Sequence, residues 1–214
     1  MMPVYCISGL GADERIFSKL RLKNCEIRYI KWVKPNSNNE PIESYALRLS
    51  TQIQHKNPIL VGVSFGGIIA VEIAKIICCK KIFLISTIKS KSELPLWVRL
   101  IGLCRVNKIV PFTRRGSILV LLENYFLGPE TVEEKRLISE FRKATDKFFL
   151  YWAVSSIVNW RNTIIPDNFV HLLGDRDKFF SVKKSNPNYI IHGGTHLMIY
   201  NRSQEISNII QSQL

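Results

Sequence analysis

The sequence predicts a doubly wound α/β chain with a mostly parallel sheet, and three observations carry that expectation. Short, nearly continuous apolar runs rich in β-branched residues recur along its 214 residues, the pattern of strands buried on both faces. Segments with helical spacing alternate with the early runs. The alternation then lapses between Ile85 and Phe169, where helical periodicity broken by Gly and Pro takes over, as an insertion would read.

In chain order, strands are expected over 4–7, 27–33, 59–63, 82–85, 169–173 and 189–191. A helix over 42–53 follows Pro41 at its first turn. A second, over 65–77, is apolar at Ile68, Ile69, Ile73, Ile76 and Ile77, with Ala70 and Ala74 as small packing positions. The insertion, 89–166, holds Trp97, Trp152 and Trp160 and a Gly128-Pro129 turn ahead of a helix expected over 130–147. It reads as a helical cap folded over one end of the sheet. The expected division is therefore a first part of the core at 1–88, the cap at 89–166, and a second part of the core at 167–214, closed by an amphipathic helix over 203–212.

Composition narrows the class. Hydrophobic residues are 46% and charged residues 22%, with 9 Pro and 11 Gly, which excludes a disordered chain, a fibrous repeat and a disulfide-stapled miniprotein. The net charge of +13 raises the question of an anionic partner. It is spread as +8 over 1–91, +4 over 92–165 and +1 over 166–214, and its densest spots are pairs such as Lys80-Lys81, Arg114-Arg115 and Lys183-Lys184. That is the pattern of a solvated surface, so no nucleic acid partner is expected. Cys6, Cys25, Cys78, Cys79 and Cys104 are odd in number and lack a Cys-x-x-Cys pair, which suits free thiols in a reducing cytoplasm. The first ten residues have no basic leader and break at Gly9, unlike a signal peptide. The apolar stretch 94–122 is interrupted by Arg99, Arg105, Lys108, Arg114 and Arg115, so no membrane span is expected. Cysteines and the four histidines are scattered without ligand spacing, and no phosphate-binding glycine loop stands apart, so neither metal nor cofactor is called for.

The sharpest chemical feature is Gly62-Val63-Ser64-Phe65-Gly66-Gly67, set between an apolar strand and an apolar helix. This is a nucleophile-elbow pattern: a tight strand-to-helix turn projects the Ser64 hydroxyl, and the Phe65 amide lies at the positive end of the helix, where it can donate to an oxyanion. Gly62 and Gly66 are expected because side chains there would collide across the turn. A serine hydroxyl needs a base and a group to hold that base. Among the histidines, His196 sits on the glycine-rich loop Gly193-Gly194-Thr195-His196 after the last strand, where loops meet the edge that bears Ser64. His192 closes that strand and is the alternative; His171 falls inside a strand and reads as packing, and His55 ends a polar helix. The acid is expected in Leu172-Leu173-Gly174-Asp175-Arg176-Asp177, with Asp177 reaching further toward the imidazole and Asp175 the alternative. The loop Ser8-Gly9-Leu10-Gly11 can turn the Leu10 amide toward the site as a second oxyanion donor.

With these four pieces in the order oxyanion loop, Ser, Asp, His, the chain resembles the α/β-hydrolases over nearly all its length outside the insertion. The resemblance implies Ser64 as nucleophile, His196 as base, Asp177 as acid and the Leu10 and Phe65 amides as oxyanion donors. It differs from the family pattern in carrying Ser8 where His often precedes Gly, Val63 where His often precedes the nucleophile, and no Pro shortly after Asp177. The chain starts at the strand before the oxyanion loop, so a core of about six strands is implied, without the two leading strands of larger members. The expected activity is hydrolysis of carboxylic esters or thioesters of a small, apolar acyl substrate through an acyl-enzyme. The alternative is a non-catalytic protein of the same fold that binds an anionic partner through its basic surface.

Overall fold

The computed structural model describes residues 1–96, 98 and 117–214, with backbone alone at 117–119. Trp97, Cys104 and the basic residues Arg99, Arg105, Lys108, Arg114 and Arg115 lie outside the described residues. The elements are β1 (Met2–Ile7), β2 (Cys25–Ile30), α1 (Ile42–Ser50), β3 (Ile59–Val63), α2 (Phe65–Ala74) and β4 (Lys81–Ile85). After them come α3 (Ser117–Leu127), α4 (Val132–Ala144), α5 (Lys147–Asn159), β5 (Phe169–Gly174), α6 (Val182–Ser185), β6 (Tyr189–Ile191), α7 (Met198–Asn201) and α8 (Ser203–Ser212).

Six strands form one parallel sheet in the order β2-β1-β3-β4-β5-β6. Side chains alternate between two apolar layers. Tyr5 and Ile7 of β1 and Ile82 and Leu84 of β4 join a layer with α1, α2 and α5, whereas Val4, Cys6, Phe83 and Ile85 join one with α4, α7 and α8. With both faces covered, the strands are apolar almost throughout, the interior exceptions being Glu26 and Arg28 of edge strand β2 and His171 of β5, which is why most runs read as continuous rather than alternating. Buried on nearly all sides, α2 is apolar at every position but Glu72, whereas α8 buries only Ile206, Ser207 and Ile210.

Several element boundaries differ from the sequence reading, most by one to three residues. Strand β2 stops at Ile30 rather than at 33, because it is an edge strand whose exit is captured by side chains. The Gln52 amide bonds both the Lys31 N–H and the Lys31 carbonyl at 2.9 Å, and Tyr45 Oη bonds the Val33 N–H. Helices α1 and α2 end a few residues early, in turns. The helix expected over 130–147 is two helices: the Thr145 hydroxyl donates to the Phe141 carbonyl at 2.7 Å, and Asp146 caps α5 by accepting from the Phe149 N–H at 2.9 Å. Helices α4 and α5 pack on opposite layers, so the Thr145–Asp146 corner crosses the rim of the sheet at the carboxyl ends of the strands.

Trp152 and Trp160 are core residues. Trp152 donates to the Glu40 carbonyl and lies 4.2 Å from the Tyr45 ring; Trp160 donates to the buried Glu72 carboxylate at 2.8 Å. The described cysteines, Cys6, Cys25, Cys78 and Cys79, are unpaired. Among the described residues, no helix is long and apolar enough to cross a membrane.

Candidate active site

The strand order reverses at β1: the chain leaves β1 for β2 on one side, then returns to β3 on the other. Loops leaving β1 and β3 therefore part in opposite directions and open a crevice at the carboxyl edge. Ser8-Gly9-Leu10-Gly11 and Ser64 sit at this point, and a Cβ built on Gly9 would be 3.5 Å from Ser64 Cβ.

Ser64 has φ 52° and ψ −119°, a strained conformation for a side-chain-bearing residue. The backbone around it holds that strain in place. Its N–H donates to the Ile85 carbonyl at 3.0 Å, and its carbonyl accepts from the Gly67 N–H and the Thr87 hydroxyl at 2.9 and 2.6 Å. A Cβ on Gly62 would lie 2.6 Å from the Gly66 carbonyl, the collision across the turn that the sequence suggested. Gly66 is constrained differently: its Cβ would meet the Ile7 and Ser8 carbonyls at 2.3 Å, so the start of α2 packs directly on the end of β1.

His196 Nε2 lies 2.9 Å from Ser64 Oγ, and its Nδ1 lies 2.8 Å from Asp177 Oδ2. The other Asp177 oxygen accepts the Phe179 and Phe180 N–H groups at 2.8 and 3.1 Å. The Asp177 side chain is wholly shielded from solvent. Phe179 and Phe180 pack on the imidazole with ring centroids 4.6 and 5.7 Å away, and Phe126 of α3 stacks on Phe179. The loops bearing Asp177 and His196 touch through bare backbone. The Gly194 carbonyl accepts from the Arg176 N–H at 3.0 Å, and a Cβ on Gly174 would fall 2.0 Å from that same oxygen.

The structure also separates the alternatives. Asp175 pairs with the exposed His192 at 3.0 Å and accepts the Gly193 N–H, away from Ser64. The His192 hydrogen bond holds its carboxyl below the usual carboxylate range. His55 accepts from Tyr5 Oη in the loop after α1. His171 is fully buried, with Nε2 2.9 Å from the Thr87 carbonyl and Nδ1 3.0 Å from Lys89 Nζ, which is paired with the buried Glu93. Burial first, and the Lys89 charge second, push His171 down to about 3, so it is neutral and donates through Nε2.

Two contributors were missed by sequence reasoning. Thr87, two residues past β4, bonds the Ser64 carbonyl and is itself held by His171. Trp32, two residues past β2, donates from Nε1 to Ser8 Oγ at 2.9 Å and stacks on Phe65 with centroids 5.4 Å apart. Neither belongs to a local motif; only their place just beyond a strand's carboxyl end marks them. Among the described residues, no group of His, Cys, Asp and Glu is arranged to hold a metal.

No family model matches the sequence, and no curated protein matches it. Solved structures do resemble it. A thermophilic esterase from Thermogutta terrifontis aligns over 99% of this chain and 89% of its own, with a TM-score of 0.77 at 14% identity. MenH from S. aureus aligns over 100% and 93%, with a TM-score of 0.75 at 18% identity. A lipase-esterase related protein from Clostridium acetobutylicum aligns over 99% and 94%, with a TM-score of 0.70 at 15% identity. The strand order, the elbow at Ser64 and these full-length superpositions together establish that the chain has the α/β-hydrolase fold.

Proposed function

We propose that this protein is a serine hydrolase that cleaves carboxylic esters or thioesters of a small, apolar acyl group. One observation carries the reading: His196 bridges Ser64 Oγ and Asp177 Oδ2 at 2.9 and 2.8 Å. Ser64 Oγ attacks the carbonyl carbon while its proton passes to His196 Nε2. The carbonyl oxygen becomes an oxyanion and takes hydrogen bonds from the Leu10 and Phe65 amides, each such donor contributing about 3 kcal/mol. His196 then gives its Nε2 proton to the leaving alkoxide or thiolate, and an acyl-Ser64 ester remains. Water repeats the cycle with His196 as base, freeing the acid and Ser64. Asp177 keeps Nδ1 protonated and offsets the imidazolium charge.

The apolar acyl group is supported by half-buried Leu10, Trp32, Phe126 and Phe179 around Ser64 and His196. The helical segment within 89–166 acts as the cap. Its support is two contacts with the site's loops: Thr145 Oγ1 lies 3.2 Å from the Gly11 carbonyl oxygen, and Gly128 packs on Thr195 beside the base. Esterase and lipase neighbours fit the same reaction class.

The test is covalent. A fluorophosphonate probe is expected to label Ser64, and Ser64→Ala is expected to lose both label and turnover of short-chain nitrophenyl esters. Label on another residue, or undiminished turnover in Ser64→Ala, refutes the mechanism.

A further inference from the structure

We infer that Trp32 and Ser8 form a positioning pair that ties the two oxyanion donors together, an inference that rests on the serine-hydrolase reading above. The indole Nε1–H donates to Ser8 Oγ at 2.9 Å, and the Ser8 hydroxyl donates onward to the Ala12 carbonyl at 2.7 Å. Ala12 N–H in turn bonds the Gly9 carbonyl at 3.0 Å. This relay spans the Gly9-Leu10-Gly11 turn and fixes the plane of its peptides, on which the direction of the Leu10 amide depends. The same indole ring stacks on Phe65, the residue that supplies the other donor, at 5.4 Å with 21° between planes, and meets the Phe149 ring at 5.3 Å with a 45° tilt. One side chain therefore touches both halves of the oxyanion hole, through a hydrogen bond on one side and an aromatic face on the other.

Ser8 is buried, and its oxygen has both of these partners. Its hydroxyl is needed as acceptor and donor at once, a combination that Ala lacks. Trp32→Phe keeps an aromatic face on Phe65 and removes the N–H together with one ring of the indole. Because the relay acts through the loop rather than on the substrate, its loss should loosen the fit to a tetrahedral oxyanion while leaving ground-state binding intact.

The experiment measures ester turnover per titrated Ser64 for wild type, Ser8→Ala, Trp32→Phe and the double variant, together with inhibition by a trifluoromethyl ketone that mimics the tetrahedral adduct. Each single variant is expected to lower kcat about tenfold, with KM within twofold, and to weaken the ketone by the same factor as kcat/KM. The double variant is expected to be no worse than the poorer single one, because both break the same relay. A raised KM at unchanged kcat, unchanged ketone affinity, or a double effect equal to the product of the singles overturns the inference. Should the wild type react at Ser64 while the variants keep full kcat, this inference alone falls. A wild type with no Ser64-dependent reactivity overturns the parent reading with it.

Discussion

Exchange of Asp177 for Asn tests the site most directly, because the structure dictates which way the new amide must point. The Asp177 Oδ1 atom accepts two backbone N–H groups, from Phe179 and Phe180, while Oδ2 faces His196 Nδ1. In Asp177→Asn the amide oxygen must stay on the two N–H donors, so the NH2 turns toward Nδ1. Nδ1 then has to accept, the ring proton moves to Nε2, and that proton points at Ser64 Oγ 2.9 Å away. The imidazole is left in the tautomer that cannot take the serine proton. The same exchange in Ser-His-Asp proteases lowers kcat about 10⁴-fold, or roughly 5.5 kcal/mol of barrier at 1.36 kcal/mol per decade. Asp175→Asn is the control: its partners are His192 and the Gly193 N–H, both exposed, and kcat should stay within about twofold, as for most surface substitutions. The assay is nitrophenyl ester turnover with an unchanged melting temperature as proof of folding. More than a tenth of wild-type activity in Asp177→Asn, or an equal loss in Asp175→Asn, refutes the assignment.

Three further outcomes follow from the packing. His171 has its folded value lowered to about 3 from 6.5, so below 6.5 the unfolded chain takes up a proton that the folded one refuses. Its contribution to stability is complete above 6.5 and declines as pH falls toward 3, by at most about 1.4 kcal/mol per pH unit. Urea denaturation at pH 5, 6 and 7 should give a shallower pH slope in His171→Gln than in wild type, and equal slopes would contradict the buried neutral imidazole. Gly66→Ala puts a Cβ 2.3 Å from two backbone carbonyls, and should cost about 3 kcal/mol or more, near 10 °C in melting temperature; an unchanged melting temperature would show that α2 does not rest on β1. Burial pushes the Cys6 thiol well up, whereas Cys78 is exposed. Iodoacetamide with peptide mapping should therefore modify Cys78 in the native protein and Cys6 only after denaturation, and native labelling of Cys6 would contradict the closed sheet.

The fold was legible because its strands announce themselves twice, as apolar runs and as the punctuation between them. A strand buried on both faces has no polar register to confuse, and 59–63 and 189–191 match β3 and β6 to the residue. Boundaries failed where a side chain from elsewhere took over the backbone, as Gln52 and Tyr45 do beyond β2. The break in the helix expected over 130–147 was written in Thr145-Asp146, a stop and a cap side by side, and was obscured by the periodicity running through both halves. At the site, Ser64 sits in a local motif and could be read directly. Spacing favours Asp177, the one further out, but leaves Asp175 open, since both lie in the same turn. What distinguishes them is burial under Phe179 and Phe180, a property of the folded loop. Aromatics of the insertion divide between two places: Trp152 and Trp160 fill the core, Phe126 lies against Phe179 beside His196, and the tryptophan beside Ser8 and Phe65 is Trp32, from outside the insertion.

A parallel sheet puts all its carboxyl ends on one edge, and in this chain each of the six contributes one side chain there. Ser8 follows β1, Trp32 follows β2, Ser64 follows β3, Thr87 follows β4, Asp177 follows β5 and His196 follows β6. The first four lie one or two residues past their strands, where the backbone is still held by the ladder. Asp177 and His196 lie further out, and their loops are braced against each other instead, by the Gly174–Gly194 contact. Precision at the rim thus depends on distance from the sheet: close in, the strand positions the side chain, and further out, backbone must press on backbone. That accounts for glycine at Gly174, where any Cβ would force apart the two loops that carry the imidazole and its carboxylate. Trp32 and Thr87, which belong to no local motif, are marked in the sequence by that same place, two residues past a strand.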